Sequence, residues 1–277
     1  MKVTRSGYYS YRSQKTYQKS PQEIELGKQI KAEFYENRRR YGSRRIAFAL
    51  QNRGFKTGRH LVRKLLAEQG LQAIVSKSFK PKTTISNNNL ASPNLLKDEA
   101  NKAFKPKRAI IGDITYIPLS NGSWIYLAVW QDKFTRRIIG WKMANSMTED
   151  LVIEALKKAL ENGYIEKNAI IHTDRGSQYS SNNFRKLLKE HGLRQSISGK
   201  GNCYDNAQAE SFFARYKAEL MENGLFEDIE QGISETFSYI EGYYNQKRIH
   251  SAIGNKSPAD FEKAWENQAA LNHFGVR

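Results

Sequence analysis

The sequence predicts an α/β core, a mixed five-stranded sheet with helices, preceded by an all-α basic region. Two observations carry that expectation. From Ala109 onward three β-rich runs follow one another, and two further short strands alternate with helical patterns. Charge divides at the same place. Residues 1–108 hold 25 Lys+Arg against 7 Asp+Glu, a surplus of +18, while residues 109–277 stand at −1 within a total of +17.

Composition sets outer limits. The 277 residues are 39% hydrophobic and 12% aromatic, enough for a packed core. One cysteine excludes a disulfide framework and a Cys-rich zinc fold. No run of about 18 apolar residues predicts a membrane span. Residues 1–20 lack the apolar stretch of a secretory signal, so an intracellular protein is expected. A surplus of +18 in one part points to a polyanion, and nucleic acid fits the clustering better than a merely solvated face.

Pro21 to Arg40 reads as a helix, with Ser20 as N-cap, Pro21 at the first position and Ile24, Ile30 and Phe34 as sparse apolar positions. Arg38, Arg39 and Arg40 would sit at its C-terminal dipole. Ser43 can cap a short helix turning Ile46, Ala49 and Leu50 inward. Thr57 can cap a second, with Leu61, Val62, Leu65 and Leu66 inward and Gly70 closing it. Two helices across a Gly-containing turn fit a helix-turn-helix. The second turns Arg59, His60, Arg63 and Lys64 outward, as a groove or phosphate contact requires. An ordinary helical hairpin fits the pattern equally, and the local charge favours DNA. Residues 76–108 are polar, with no periodicity at Ser86-Asn87-Asn88-Asn89, and read as a linker.

Ala109 to Leu119 is a strand, Asn121-Gly122 a turn, Trp124 to Trp130 a buried strand and Phe134 to Met143 a third. Thr148 opens a helix with Leu151, Val152, Ala155, Leu156 and Ala159 on its apolar face. Asn168 to His172 is a short buried strand, and its return after a helix implies a parallel crossover. Phe184 to Glu190 is helical, Leu193 to Ile197 a strand, and the remainder mostly helical. The order β-β-β-α-β-α-β-α is that of a ribonuclease-H-like fold. The four tryptophans, 124, 130, 141 and 265, read as core.

Three acids stand out. Asp113 interrupts an apolar strand, where a charge is costly unless paired or bound to metal. Asp174 directly follows a buried strand, at the end where α/β sheets place ligands. Glu210 lies on a helix for which Asp205 can be the N-cap, sharing a polar face with Asn206 and, two turns on, Lys217. If the first and fourth strands are neighbours, Asp113 and Asp174 meet. Three hard oxygen donors suit Mg²⁺ or Mn²⁺. Two such ions about 4 Å apart can serve the attacking and leaving oxygens of a phosphodiester. No Ser/His/Asp or Cys/His grouping rivals them. Asn206 can orient Glu210 or the substrate, and Asp205 can support Glu210. His172 reads as a strand-end structural residue. Lys247, Arg248 and His250 form a basic cluster read as a DNA contact.

At these residues the chain resembles a known family. Asp-Ile-Thr-Tyr-Ile (113–117), His-Thr-Asp-Arg-Gly-Ser-Gln-Tyr (172–179), Gly-Asn-Cys-Tyr-Asp-Asn-Ala-Gln-Ala-Glu-Ser-Phe-Phe (201–213) and Tyr-Asn-Gln-Lys-Arg-Ile-His-Ser-Ala-Ile-Gly (244–254) resemble orfB-type transposases of insertion-sequence family three, within the retroviral-integrase-like DDE superfamily. Tyr-Gly-Ser-Arg-Arg-Ile, with Arg44 and Arg45, looks like the family's helix-turn-helix. The resemblance implies that Asp113, Asp174 and Glu210, with 60 and then 35 residues between them, are the catalytic and metal-holding acids. It implies that Lys217 contacts terminal DNA. It further implies strand cleavage by water, strand transfer by the freed 3′-OH, and two metal ions per site. The implied partners are double-stranded DNA, both the element's terminal inverted repeats and its target, and further copies of the chain. The implied location is the bacterial cytoplasm, on the nucleoid when DNA-bound.

The expected domains are a helical basic region at 1–75, a linker at 76–108, the catalytic core at 109–222 and a C-terminal helical extension at 223–277. In many relatives an upstream reading frame supplies a further helix-turn-helix and a zipper by fusion, so that protein is a further implied partner. Relatives often carry Trp where this chain has Ile110 and a small polar residue at Gly112, changes that read as packing-neutral. A non-catalytic element-encoded DNA-binding regulator and a ribonuclease-H-type nuclease are the competing functions.

Overall fold

The structure is a computed structural model that describes residues 3–13, 19–74, 92–98, 105–199, 207–221 and 224–274. It divides into two compact units, Met1–Val75 and Ser76–Arg277.

In the first unit, α1 (Arg5–Arg12) starts at Thr4, whose hydroxyl accepts the Gly7 N–H, and buries none of its residues. Helix α2 (Pro21–Glu36) opens on a capping box. The Ser20 hydroxyl accepts the Glu23 N–H, and the Glu23 carboxylate accepts the Ser20 N–H. The helix stops four residues before Arg40, because Arg38 and Arg39 adopt positive φ (49° and 62°) and turn the chain. Its buried face is Leu26, Ile30 and Phe34, spaced i, i+4, i+8, while Ile24 is exposed. Helices α3 (Ser43–Asn52) and α4 (Arg59–Glu68) begin one residue away from the expected caps. Gly42 and Gly58 take the N-cap positions, with no side-chain capping bond. Ile46, Ala47 and Leu50 are buried on α3, and Val62, Leu65 and Leu66 on α4. Buried Glu33 on α2 pairs with Arg53 just after α3 at 2.8 Å.

The second unit is built on a sheet of order β3-β2-β1-β4-β5. Strands β1 (Ala109–Pro118), β2 (Trp124–Asp132) and β3 (Ile138–Ala144) form an antiparallel meander. Strands β4 (Ile170–Thr173) and β5 (Arg194–Ile197) join parallel to β1. Strand β3 starts later than its apolar run suggests, because Asp132 builds a turn. Its Oδ1 accepts the N–H groups of Phe134 and Thr135 at 2.8 Å, and Arg136 follows with φ 67°.

Helices α6 (Glu149–Glu161) and α7 (Asn182–Glu190) cover one face. There Ile110, Trp130, Val152, Leu156 and Phe184 share a core. On the other face Phe212 and Tyr216 of α8 (Ala207–Leu220) pack with Ile117, Leu127 and Val129. Tyr239 and Ile240 join them from the π-helical segment Ser238–Tyr244, which continues α9 (Ile229–Phe237). Helix α10 (Pro258–Phe274) ends the described chain. Within the expected linker, α5 (Leu95–Asp98) packs beside the parallel strands, and Leu96 is buried with Ala109 and Ile170. The Ile197 N–H of β5 donates to the Pro93 carbonyl at 3.4 Å. At the opposite edge the buried Asn245 amide takes both backbone groups of Ile138, at 3.0 and 2.9 Å.

Candidate active site

The register of β1 against β4 sets the site. Ala109 lies beside Ile170, Ile110 beside Ile171 and Ile111 beside His172. Every pair is offset by 61 residues, and the same offset carried two residues on matches Asp113 with Asp174. Asp174 thus directly follows the end of β4, and Asp113 lies within β1 just past the last residue that β4 pairs. Asp113 Oδ1 accepts the Ile114 N–H at 2.9 Å, and Asp174 Oδ1 accepts the Gly176 N–H at 2.9 Å. Burial pushes the Asp174 carboxyl up, and the Gly176 N–H offsets this in part.

The floor behind the acids is aromatic and closed. Tyr179 is buried and stands edge-on to Trp130 and Phe184, and its hydroxyl has no hydrogen-bond partner among the described residues. Burial raises its pKa, and the charges of Asp174 and Asp113 raise it further, so one phenol lies within reach of both acids. Gly176 permits the tight turn between them. A Cβ there would stand 3.1 Å from Asp174 Oδ1 and 3.3 Å from Tyr179 Cδ2. His172 is fully buried, with Nδ1 2.8 Å from Ser196 Oγ and Nε2 3.0 Å from Ser198 Oγ. It ties the end of β4 to β5 and its following residues, the structural role its position suggests.

Helix α8 runs alongside β1. Near its start Gln208 Nε2 donates to the Asp132 carbonyl at 3.3 Å. Near its end Lys217 Nζ lies over the Tyr116 ring, 4.6 Å from the centroid. Burial lowers the Lys217 pKa and the charge of the Asp113 carboxylate opposes that. Glu210 is exposed, one turn into the helix. Among the described residues no three His, Cys, Asp or Glu side chains are close enough together to hold a metal ion. The charges of both aspartates thus act on Tyr179 and that of Asp113 acts on Lys217, while Glu210 forms no three-acid cluster with them. Asp205 and Asn206 lie outside the described residues.

The expected DNA contacts divide. Arg44, Arg59, Arg63 and Lys64 are exposed, with Lys64 3.8 Å from Glu68. Arg45 is half-buried over the Tyr41 ring. Lys247 is exposed. Arg248 is not available to a phosphate, and that expectation is corrected: it is fully buried and its Nη2 bonds Glu219 at 2.8 Å. Two further readings change. Trp124 is 43% exposed instead of buried, and Gly112 is not packing-neutral, because a Cβ there would strike the Trp130 ring. An alternating strand pattern marks Trp124 as half-buried at best, since it begins its strand beside a turn.

The sequence matches the HTH-like domain over residues 21–79 and the integrase core domain over residues 104–203 and again over 191–258. It is 41% identical over 247 residues to the transposase for insertion sequence element IS904 of Lactococcus lactis, covering 88% of this chain and 97% of that one. It is 38% identical over 264 residues to transposase InsF for insertion sequence IS3A of Escherichia coli, covering 95% and 91%. Among solved structures, the HTLV-2 integrase catalytic core domain in complex with magnesium aligns with a TM-score of 0.42 at 17% identity, over 58% of this chain and 99% of that one. Domain order and these relatives lead to one conclusion: the chain belongs to the insertion-sequence transposases of the IS3 family, DNA transposases with a helix-turn-helix-like domain ahead of an integrase-type, ribonuclease-H-like core.

Proposed function

We propose that Asp113, Asp174 and Glu210 are the acids with which this transposase cleaves and rejoins DNA strands, and that they hold two Mg²⁺ or Mn²⁺ ions. The observation that carries the reading is the parallel pairing of β1 with β4 at a constant offset of 61 residues, which, extended two residues past the last pair, supports Asp113 as the neighbour of Asp174. The donors suit hard divalent cations: carboxylate oxygens, with the nearby His172 nitrogens already engaged by serines. Burial disfavours the Asp174 anion, so a cation beside it relieves a cost already present. The aspartates are the pre-formed part, and Glu210 joins them on binding. When bound, such ions activate an attacking oxygen and stabilise the leaving oxygen of a phosphodiester.

Around this centre Lys217 holds the terminal phosphate. Arg44, Arg45, Arg59, Arg63, Lys64 and Lys247 hold duplex DNA, first the element's terminal repeats and then the target. Asp205 and Asn206 support Glu210. The working form is a homo-multimer on paired ends, with the upstream-frame protein as a further partner, in the bacterial cytoplasm on the nucleoid. Among the described residues no helix is long and apolar enough to cross a membrane.

The test offers the purified chain, with Mg²⁺ or Mn²⁺, labelled DNA bearing the element's ends. Nicking or strand transfer is expected, lost in Asp113→Ala, Asp174→Ala and Glu210→Ala. Binding without cleavage in either metal, with the upstream-frame protein supplied, overturns the reading in favour of a DNA-binding regulator.

A further inference from the structure

Lys217 lies in a row with two aromatic side chains, Tyr116 and Trp124, that the chemistry above leaves unused. Trp124 opens β2 with 43% of its surface exposed, whereas Trp130 is fully buried and Trp141 and Trp265 are half-buried. Its ring meets the Tyr116 ring edge to face, with centroids 5.1 Å apart and planes at 73°. The contact is a diagonal cross-strand pair, since Tyr116 faces Tyr126 and Trp124 faces Pro118. On Tyr116 sits the Lys217 ammonium, 4.6 Å from the ring centroid. Asp113 lies three residues before Tyr116 on the same strand, about 10 Å away at strand rise. The row therefore runs from the Lys217 cation, which feels the Asp113 carboxylate, over the Tyr116 ring to an exposed indole.

We propose that Trp124, braced by Tyr116, is a stacking platform for an unpaired nucleobase at the DNA end, while Lys217 takes a neighbouring phosphate. The inference rests on the reading of the acids as the strand-cleaving site. A solvent-facing indole beside a cation offers what a single-stranded nucleotide needs. A π face meets the base, and a positive charge meets the backbone. A base inside a duplex is stacked on both faces and a terminal pair is held by its partner strand, so the platform favours ends that are frayed or overhanging. Exposure itself supports this, because a tryptophan kept only for packing gains more from full burial.

The test uses the full chain and oligonucleotides carrying 2-aminopurine at the last nucleotides of a frayed or overhanging end. Stacking on an indole quenches that fluorophore. Quenching is expected with the wild-type chain and its loss with Trp124→Ala, while Trp124→Phe should keep most of the affinity for unpaired ends. Affinity for unpaired ends should fall roughly tenfold in Trp124→Ala, while affinity for a blunt, fully paired duplex stays constant. Circular dichroism checks that Trp124→Ala is folded. Undiminished quenching in Trp124→Ala, or equal losses on paired and unpaired ends, overturns the platform. Cleavage that needs the acids but shows no quenching also removes the platform and leaves the acids standing. Quenching without any cleavage keeps the platform and removes the acids.

Discussion

Gly112 and Trp130 occupy one space. A Cβ at residue 112 would stand 2.1 Å from Cζ3 of the Trp130 ring, which lies directly across β1 and β2. Trp130 cannot yield easily, since it stacks on Phe184 and its Nε1 donates to the Val152 carbonyl at 3.1 Å. Gly112→Ser should therefore destabilise the fold by about 1–3 kcal/mol, by overpacking. Trp130→Leu alone leaves a cavity, and in its presence Gly112→Ser should cost much less. Urea unfolding of the four-member cycle measures this. Additive effects within about 0.5 kcal/mol would show that the two residues are independent.

Arg248 and Glu219 form a buried ion pair, with side chains 1% and 7% exposed. Burial works against the arginine charge, and the Glu219 carboxylate outweighs it, holding the guanidinium protonated. Arg248→Met leaves an unpaired buried acid and should cost about 3–5 kcal/mol. Adding Glu219→Leu should restore most of that loss. The double variant, once folded, should bind DNA with an unchanged salt slope. A slope reduced by about one unit would return Arg248 to the DNA surface.

Four buried phenols predict alkaline unfolding. Burial raises Tyr179, Tyr216, Tyr239 and Tyr244, the last from 10.0 to about 12 despite the opposing charge of Arg248. A folded-state pKa above the unfolded one means that the folded chain holds its proton more tightly. This stability is complete below pH 10.0 and is lost as pH rises toward about 12. Phenolate absorbance and circular dichroism should change together above pH 10 for these four groups. Full ionisation of every tyrosine before any loss of structure contradicts the burial.

The exposed cations of α3 and α4 predict steep salt dependence. Arg44→Gln, Arg59→Gln and Arg63→Gln should each weaken binding to any duplex sequence and lower the slope of log K against log salt by about one unit. Fluorescence anisotropy across a salt series measures it. A slope indifferent to all three sets the helix pair aside as a DNA platform.

Much of this was readable in the residues. The apolar runs after residue 108 announced all five strands, and Ser20 with Glu23 announced the start of α2. The parallel neighbouring of β1 and β4, on which the reading of Asp113 with Asp174 rests, was expected and is observed. What failed depended on distant partners. Arg248 looks like one cation in a basic cluster until Glu219, 29 residues earlier, meets it. Gly112 looks interchangeable until Trp130 arrives from the next strand. The end of α2 failed for a local reason, because two arginines in left-handed conformation carry no sequence mark.

The Asn245 amide on Ile138 and the Pro93 carbonyl on Ile197 have a consequence for assembly. Outer strands with idle backbone groups invite a second chain to add its own strand. Here each flank of the sheet has lent groups to non-strand neighbours within its own chain. A second copy seeking to lengthen the sheet would first have to displace them. The proposed multimer on DNA would then form through helices, loops and the nucleic acid itself, a mode of contact distinct from strand-by-strand fibre growth.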